Sequence, residues 1–221
     1  MTPEADPGAA SPGAAVWRFD GQIAGLGTSA GPRIVVGRWF DSPLGSFADV
    51  MLEEPAGRRI LMAPSPDVAD FVAGTYRFDE VVVGPVTVSE QTSVRGAQRA
   101  LRIEAPGLSL RISIGRRAAL GVLLRLQPRR LVGSPRWASL LDPVARRVLP
   151  GVRTRGSAGG GRQEFYGASD LHRLVSAEGR WRGTDLGRLG PVDPPVTFGF
   201  GSAPRRPSLT RIVTTVIAGS E

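Results

Sequence analysis

Leu108-Ser109-Leu110-Arg111-Ile112-Ser113-Ile114 alternates apolar and polar residues without a break. An extended chain turns successive side chains to opposite faces, so the four apolar residues share one face and Ser109, Arg111 and Ser113 take the other. This predicts a strand buried on one side. Ala105-Pro106-Gly107 just before it has turn chemistry, and residues 97–104 form another strand candidate, so the two read as an antiparallel hairpin.

The same reading extends in both directions. Residues 16–25, 33–39, 48–53, 59–62 and 80–89 are strand candidates, with a turn at Glu54-Pro55-Ala56-Gly57-Arg58. After a glycine-rich stretch at residues 156–161, strand character returns at 163–166, 171–176, 196–200 and 209–217, separated by proline- and glycine-rich loops. Alternating βαβ units are missing. The expected fold is α+β: a predominantly antiparallel sheet, curled or barrel-like, with a few short helices covering one side. One helix is well signalled, because Ser65 can cap, Pro66 suits the first helical position, Asp67 complements the dipole and Gly74 ends the run. Helical pieces are also expected at 116–126, 134–141 and 142–149. Residues 1–15 read as a disordered lead-in, and 16–221 as one sheet-rich domain with a basic helical insertion at about 116–150.

The chain has 28 arginines and no lysine, asparagine or cysteine, and it carries a net charge of +8. Lysine Schiff bases, the P-loop phosphate clamp, thiolate nucleophiles and cysteine metal sites are thereby excluded. Lysine and asparagine have AT-rich codons, so the pattern is that of a GC-rich genome, and arginine preserves the charge. Its distribution says more: residues 116–155 hold ten arginines against the single acid Asp142, whereas residues 1–115 hold ten arginines against 13 acids. The absence of cysteine and of a recognisable targeting segment leads to the expectation of a cytoplasmic protein with no transmembrane segment.

Several short patterns invite a chemical reading. Gly27-Thr28-Ser29-Ala30-Gly31 matches G-x-S-x-G, but a nucleophile elbow needs a helix after the loop, and Pro32-Arg33-Ile34-Val35-Val36 reads as strand, so a hairpin turn is expected. Arg153, Arg155 and Arg162 flank the glycine-rich stretch, where paired guanidinium donors could hold an anion. The one histidine, His172, rules out multi-histidine metal sites. If residues 164–174 are extended, Glu164, Tyr166, Asp170 and His172 share a face by parity and form a candidate acid–base group, with Asp170 or Glu164 orienting the imidazole. Gly167 weakens that count if it marks a bulge, and a hydrogen-bonded structural role for His172 competes with catalysis. No metal site or cofactor is expected.

At Trp17-Arg18-Phe19-Asp20-Gly21, at Ser42-Pro43-Leu44-Gly45-Ser46-Phe47-Ala48-Asp49-Val50-Met51 and across residues 192–202, the chain resembles an uncharacterised family of proteins from GC-rich bacteria. The resemblance runs from about Trp17 to Val216 and implies no assigned reaction. In architecture the pattern is also similar to curled-sheet folds such as calycins and acetoacetate-decarboxylase-like barrels; the decarboxylase chemistry needs a lysine this chain lacks.

Two functional expectations follow. The first is a protein that binds a small apolar or amphipathic molecule, with an anionic end as one form of it, in a cavity inside a curved sheet, with arginines at its mouth and a catalytic role left open. The second is an interaction protein whose basic segment at 116–155 meets an anionic membrane surface, nucleic acid or an acidic partner. Oligomeric state is not specified by either.

Overall fold

A computed structural model describes residues 15–92, 99–127, 155–157, 161–199 and 203–218. The helices expected at 134–141 and 142–149, and Arg153, lie outside the described residues. The chain runs β1 (Val16–Thr28), β2 (Arg33–Asp41), β3 (Phe47–Glu53), β4 (Arg59–Ala63), α1 (Pro66–Ala73), β5 (Glu80–Val83), β6 (Thr87–Thr92), β7 (Arg99–Ala105) and β8 (Leu108–Arg117). It continues through α2 (Ala119–Leu124), β9 (Arg155–Ser157), β10 (Gln163–Trp181), β11 (Thr184–Asp185), β12 (Leu189–Gly190) and β13 (Ser208–Ile217).

All strands join one sheet in the order β5-β4-β3-β2-β1-β13-β10-β8-β7-β6, with β9 and β11 on β10 and β12 on β1. Every pairing is antiparallel except β4 with β5. The expected hairpins are present: Leu108 pairs with Ala105 across Pro106-Gly107, and Glu53 with Arg59 across the 54–58 turn. Gly31 closes the β1–β2 turn at φ 104°, a conformation glycine adopts without strain. The G-x-S-x-G match is therefore a hairpin turn.

The single strand expected at 80–89 is two. Gly84 and Pro85 interrupt it, since proline cannot donate to a ladder, and the halves go to opposite edges of the sheet: β5 lies beside β4, β6 beside β7. Four Cα steps separate Val83 from Thr87, a span of at most about 14 Å. The two edges must therefore lie close together, and the sheet curls into a near-closed half-barrel. Arg182 on the turn after β10 donates to Glu80 of β5 at 2.5 Å, and Trp181 Nε1 of β10 donates to Glu54 in the β3–β4 turn at 2.9 Å, which ties the two halves of the sheet together.

The concave interior is filled. Ala24 and Leu26 of β1, Ile34 and Val36 of β2, Val50 and Leu52 of β3 and Ile60 and Met62 of β4 meet Leu101 and Ile103 of β7, Leu110 and Ile112 of β8, and Leu174 and Trp181 of β10 in one cluster. Most of these side chains are fully buried, each worth about 2 kcal/mol of transfer free energy. The Leu108–Ile114 alternation is borne out as the β8 contribution to this core.

Strand alternation puts a second row on the convex face, where α1 covers it. Ser65 Oγ accepts from Val68 N and Gly74 ends the helix, as expected. Val68, Ala69 and Val72 pack on Leu61 and Ala63. At 116–126 the helix is shorter than expected: Arg116 and Arg117 prolong β8 and only Ala119–Leu124 is helical. Residues 163–166 and 171–176 belong to the single 19-residue strand β10. Residues 196–199 are not a strand. Pro194 and Pro195 supply no N–H to a ladder, and the segment is fixed instead by Thr197 N donating to Glu53 at 2.7 Å and Phe198 O accepting from Arg77 N at 2.7 Å.

Candidate functional site

A pocket opens on the convex face, between the sheet and α1 with the chain that follows it. Phe19 and Ile23 of β1, Val35, Gly37 and Trp39 of β2, Phe47, Asp49 and Met51 of β3, Glu164 and Tyr166 of β10, and Thr214 and Val216 of β13 form its floor and walls. Phe71, Val72, Thr75 and Tyr76 form its cover. The space open to the centres of water molecules is about 40 Å³, room for a few waters, and all the empty space including the open mouth is about 550 Å³. Strand parity explains the lining. On β2 and β3 the even-numbered residues fill the barrel, and the odd-numbered Val35, Gly37, Trp39, Phe47, Asp49 and Met51 face the pocket.

One wall carries a hydroxyl–carboxyl cluster. Tyr76 OH lies 2.7 and 2.8 Å from the two oxygens of Glu164 and donates to that carboxyl. It also lies 2.6 Å from Tyr166 OH. Glu164 is 2% exposed. Burial pushes its carboxyl from 4.5 up to about 7, against the opposing pull of the bonds from Tyr76 and Tyr166. Burial and the neighbouring Glu164 charge drive the Tyr76 phenol well above its ordinary range, so it remains a donor. Thr214 sits beside this cluster by register, paired with Tyr166. Its Oγ1 is buried and has no hydrogen-bond partner among the described residues.

The other wall carries Asp49, 2% exposed, whose Oδ1 accepts from Trp39 Nε1 at 2.9 Å. Burial raises its carboxyl from 3.8 to about 6, partly offset by the Trp39 bond. Gly37 makes this arrangement possible. It pairs directly with Asp49 across the ladder, and a Cβ there would stand 2.3 Å from Asp49 Oδ1 and 2.8 Å from Trp39 Nε1. Between the acids lies an aromatic group: Phe19 meets Trp39 edge-on at 5.6 Å and packs on Phe71 at 5.0 Å. Two carboxyls that titrate at about 6 and about 7 can exchange protons with a bound molecule near neutrality.

The candidate acid–base group of the sequence divides in two. Glu164 and Tyr166 meet in the pocket. Asp170 and His172 do not, because the β10–β13 register slips between Ala168 and Asp170. Ala168 pairs with Ile212 and Asp170 with Arg211, so one extra residue on β10 reverses the parity and carries Asp170 and His172 to the opposite face. Asp170 Oδ1 accepts from Arg117 Nε at 2.8 Å, and that guanidinium and the Leu171 N–H hold its carboxyl below the usual range against the effect of desolvation. His172 Nε2 is 3.7 Å from Asp170, and its Nδ1 is 3.3 Å from the Gly115 carbonyl.

Of the candidate anion-binding arginines, Arg155 pairs through its backbone with Phe165 in the β9–β10 ladder. The Arg162 side chain is engaged in holding the cover. Nη1 donates to the Phe71 carbonyl at 3.1 Å and to Thr75 Oγ1 at 2.8 Å, and the guanidinium lies over the Phe71 and Trp17 rings at 4.9 and 5.4 Å. Among the described residues, no arginine lines the pocket.

Sequence reasoning missed Asp49, Trp39, Tyr76 and Thr214. A signal existed for Asp49: in Phe47-Ala48-Asp49-Val50-Met51 it shares a face with two large apolar residues, an odd place for an acid unless that face encloses something. Nothing local in the sequence marks Tyr76, which reaches Glu164 across 88 residues. Among the described residues, no group of three or more histidine, cysteine or acidic side chains has a metal-holding arrangement. No helix among them is long and apolar enough to cross a membrane.

No family model matches the chain. No curated protein matches it either. Among solved structures, a chain from Nitrosomonas europaea provisionally named AttH aligns with all of this chain at 13% identity and a TM-score of 0.33. This chain covers 59% of that chain's length.

Proposed function

We propose that this protein binds a small amphipathic molecule in the convex-face pocket, beneath α1. The observation that carries the reading is the Tyr76–Glu164–Tyr166 cluster, buried at one end of an otherwise aromatic and aliphatic pocket. A carboxyl in that position costs stability when ionised, and an apolar residue of similar volume would pack there without the cost. Apolar walls with a few convergent polar groups of shifted pKa are the general form of a ligand site. The barrel interior, by contrast, is packed with apolar side chains.

Met51→Trp tests the reading, since Met51 is a partly exposed side chain on the pocket wall and a larger ring there fills the space. Thermal-shift and native mass spectrometry screens of apolar and amphiphilic compounds are expected to find ligands of the native chain that the variant no longer binds. Ligands that bind both chains equally would overturn it.

A second reading rests on α2. Val122, Leu123 and Leu126 are 56%, 61% and 77% exposed, and they lead into the arginine-rich stretch identified in the sequence. An apolar row beside basic charge suits contact with an anionic membrane surface. Flotation with phosphatidylserine vesicles at low and high salt tests it: co-flotation lost on Leu123→Ser supports this surface, and no co-flotation at low salt refutes it.

A further inference from the structure

The pocket has a polarity opposite to that of the chain. In a protein with 28 arginines and net charge +8, the charged side chains lining it among the described residues are Asp49 and Glu164, both 2% exposed. Among the described residues a solvated anion would meet two carboxyls and no cation there. Above pH 7, where both acids ionise, an uncharged ligand would leave them without a counter-charge. A third feature points to a donor on the ligand: Thr214 lines the pocket at 3% exposure with its Oγ1 unpartnered. Buried hydroxyl oxygens in folded proteins nearly always have a partner. The remaining wall is aromatic, with Phe19 and Trp39 in contact, and aromatic faces attract cations.

We infer that the pocket takes the protonated amino group of a small organic amine, with Glu164 and Thr214 Oγ1 accepting from it and its apolar body against Phe19 and Trp39. The inference rests on the pocket being a ligand site and adds the chemical class of the ligand. An ammonium has only donors and no acceptor, which suits an end of the pocket that offers a carboxyl and an unpartnered hydroxyl oxygen. Occupation by a cation also favours the ionised carboxylate, so binding and deprotonation of the site are linked, and affinity rises with pH until Glu164 is ionised.

Isothermal titration with 2-phenylethylamine, 2-phenylethanol and 3-phenylpropionate at pH 8 separates the possibilities, since the three share a body and differ in the charge of one end. The amine is expected to bind about 30-fold tighter than the alcohol, the scale of a buried charge pair, and the carboxylate weakest of the three. Lowering the pH from 8 to 5 is expected to weaken amine binding at least about tenfold and leave alcohol binding unchanged. Glu164→Gln should remove the advantage of the amine, and Thr214→Val should weaken the amine several-fold without moving the alcohol. Alcohol or carboxylate binding as tight as the amine overturns the ammonium assignment and leaves the pocket standing as a ligand site. Failure of all three at millimolar concentration, with no change in tryptophan emission, overturns the pocket reading together with this one.

Discussion

Replacing Glu164 by glutamine is expected to stabilise the protein at alkaline pH and to do almost nothing in acid. The folded carboxyl titrates at about 7 and its ordinary value is 4.5, so the folded state holds the proton more tightly than the unfolded chain. Stability is then greatest below pH 4.5 and falls as pH rises through 7. At about 1.4 kcal/mol per tenfold difference in proton affinity, ionised Glu164 costs the fold about 3 kcal/mol above pH 7. Glutamine keeps an acceptor for the Tyr76 hydroxyl, which donates at 2.7 Å in the native protein, and never ionises. Asp49, raised to about 6, contributes a fall of the same sign between pH 4 and 6 in both chains and cancels from the comparison. Asp79, held down to about 2 by Arg59, is fully ionised throughout that range and adds no slope. Urea unfolding followed by circular dichroism at pH 5, 6, 7 and 8 should show the difference between variant and native protein growing by about 2–3 kcal/mol in favour of the variant. A difference that stays constant over those four pH values would refute the assignment of a buried, proton-retaining Glu164.

Three further outcomes test the surrounding architecture. Arg162→Met should cost about 2 kcal/mol through the lost bonds to Phe71 O and Thr75 Oγ1; hydrogen exchange should quicken across α1 and remain unchanged in β2 and β3. Glu53→Ala should cost about 3–5 kcal/mol and lower the urea midpoint accordingly, because Arg33, paired with Glu53 at 2.8 Å and 4% exposed, is left as an uncompensated buried charge. Asp170→Asn should change unfolding free energy by less than about 1 kcal/mol and leave ligand binding unaltered, since its bond to Arg117 lies at the surface and outside the pocket.

The fold was legible wherever a local pattern carried the information. Alternation marked β8, turn residues marked the hairpins, and Ser65, Pro66 and Gly74 marked α1. What sequence reading lacked was a way to see register. Residues 164 and 166 point into the pocket as parity requires, and one slipped position after Ala168 sends Asp170 and His172 the other way. A slip of that kind has no compositional signature beyond a nearby glycine. The location of the cavity was equally hidden, because alternation states that a strand has two faces and does not say which face will be covered by a helix and which by the rest of the sheet. Tyr76 could not be found because its role is created by closure of the chain over 88 residues, a property of topology and not of spacing.

The two-sided use of β2 and β3 has a consequence for how this protein can change over time. Even positions such as Ile34, Val36, Val50 and Leu52 are locked into the barrel, while their odd neighbours Val35, Trp39 and Met51 face the pocket. Saturation substitution along these strands should therefore give a comb: abundance collapses at every second residue, and the teeth between tolerate exchange with altered binding. Ligand preference can then drift by single-residue steps while the barrel beneath it stays intact.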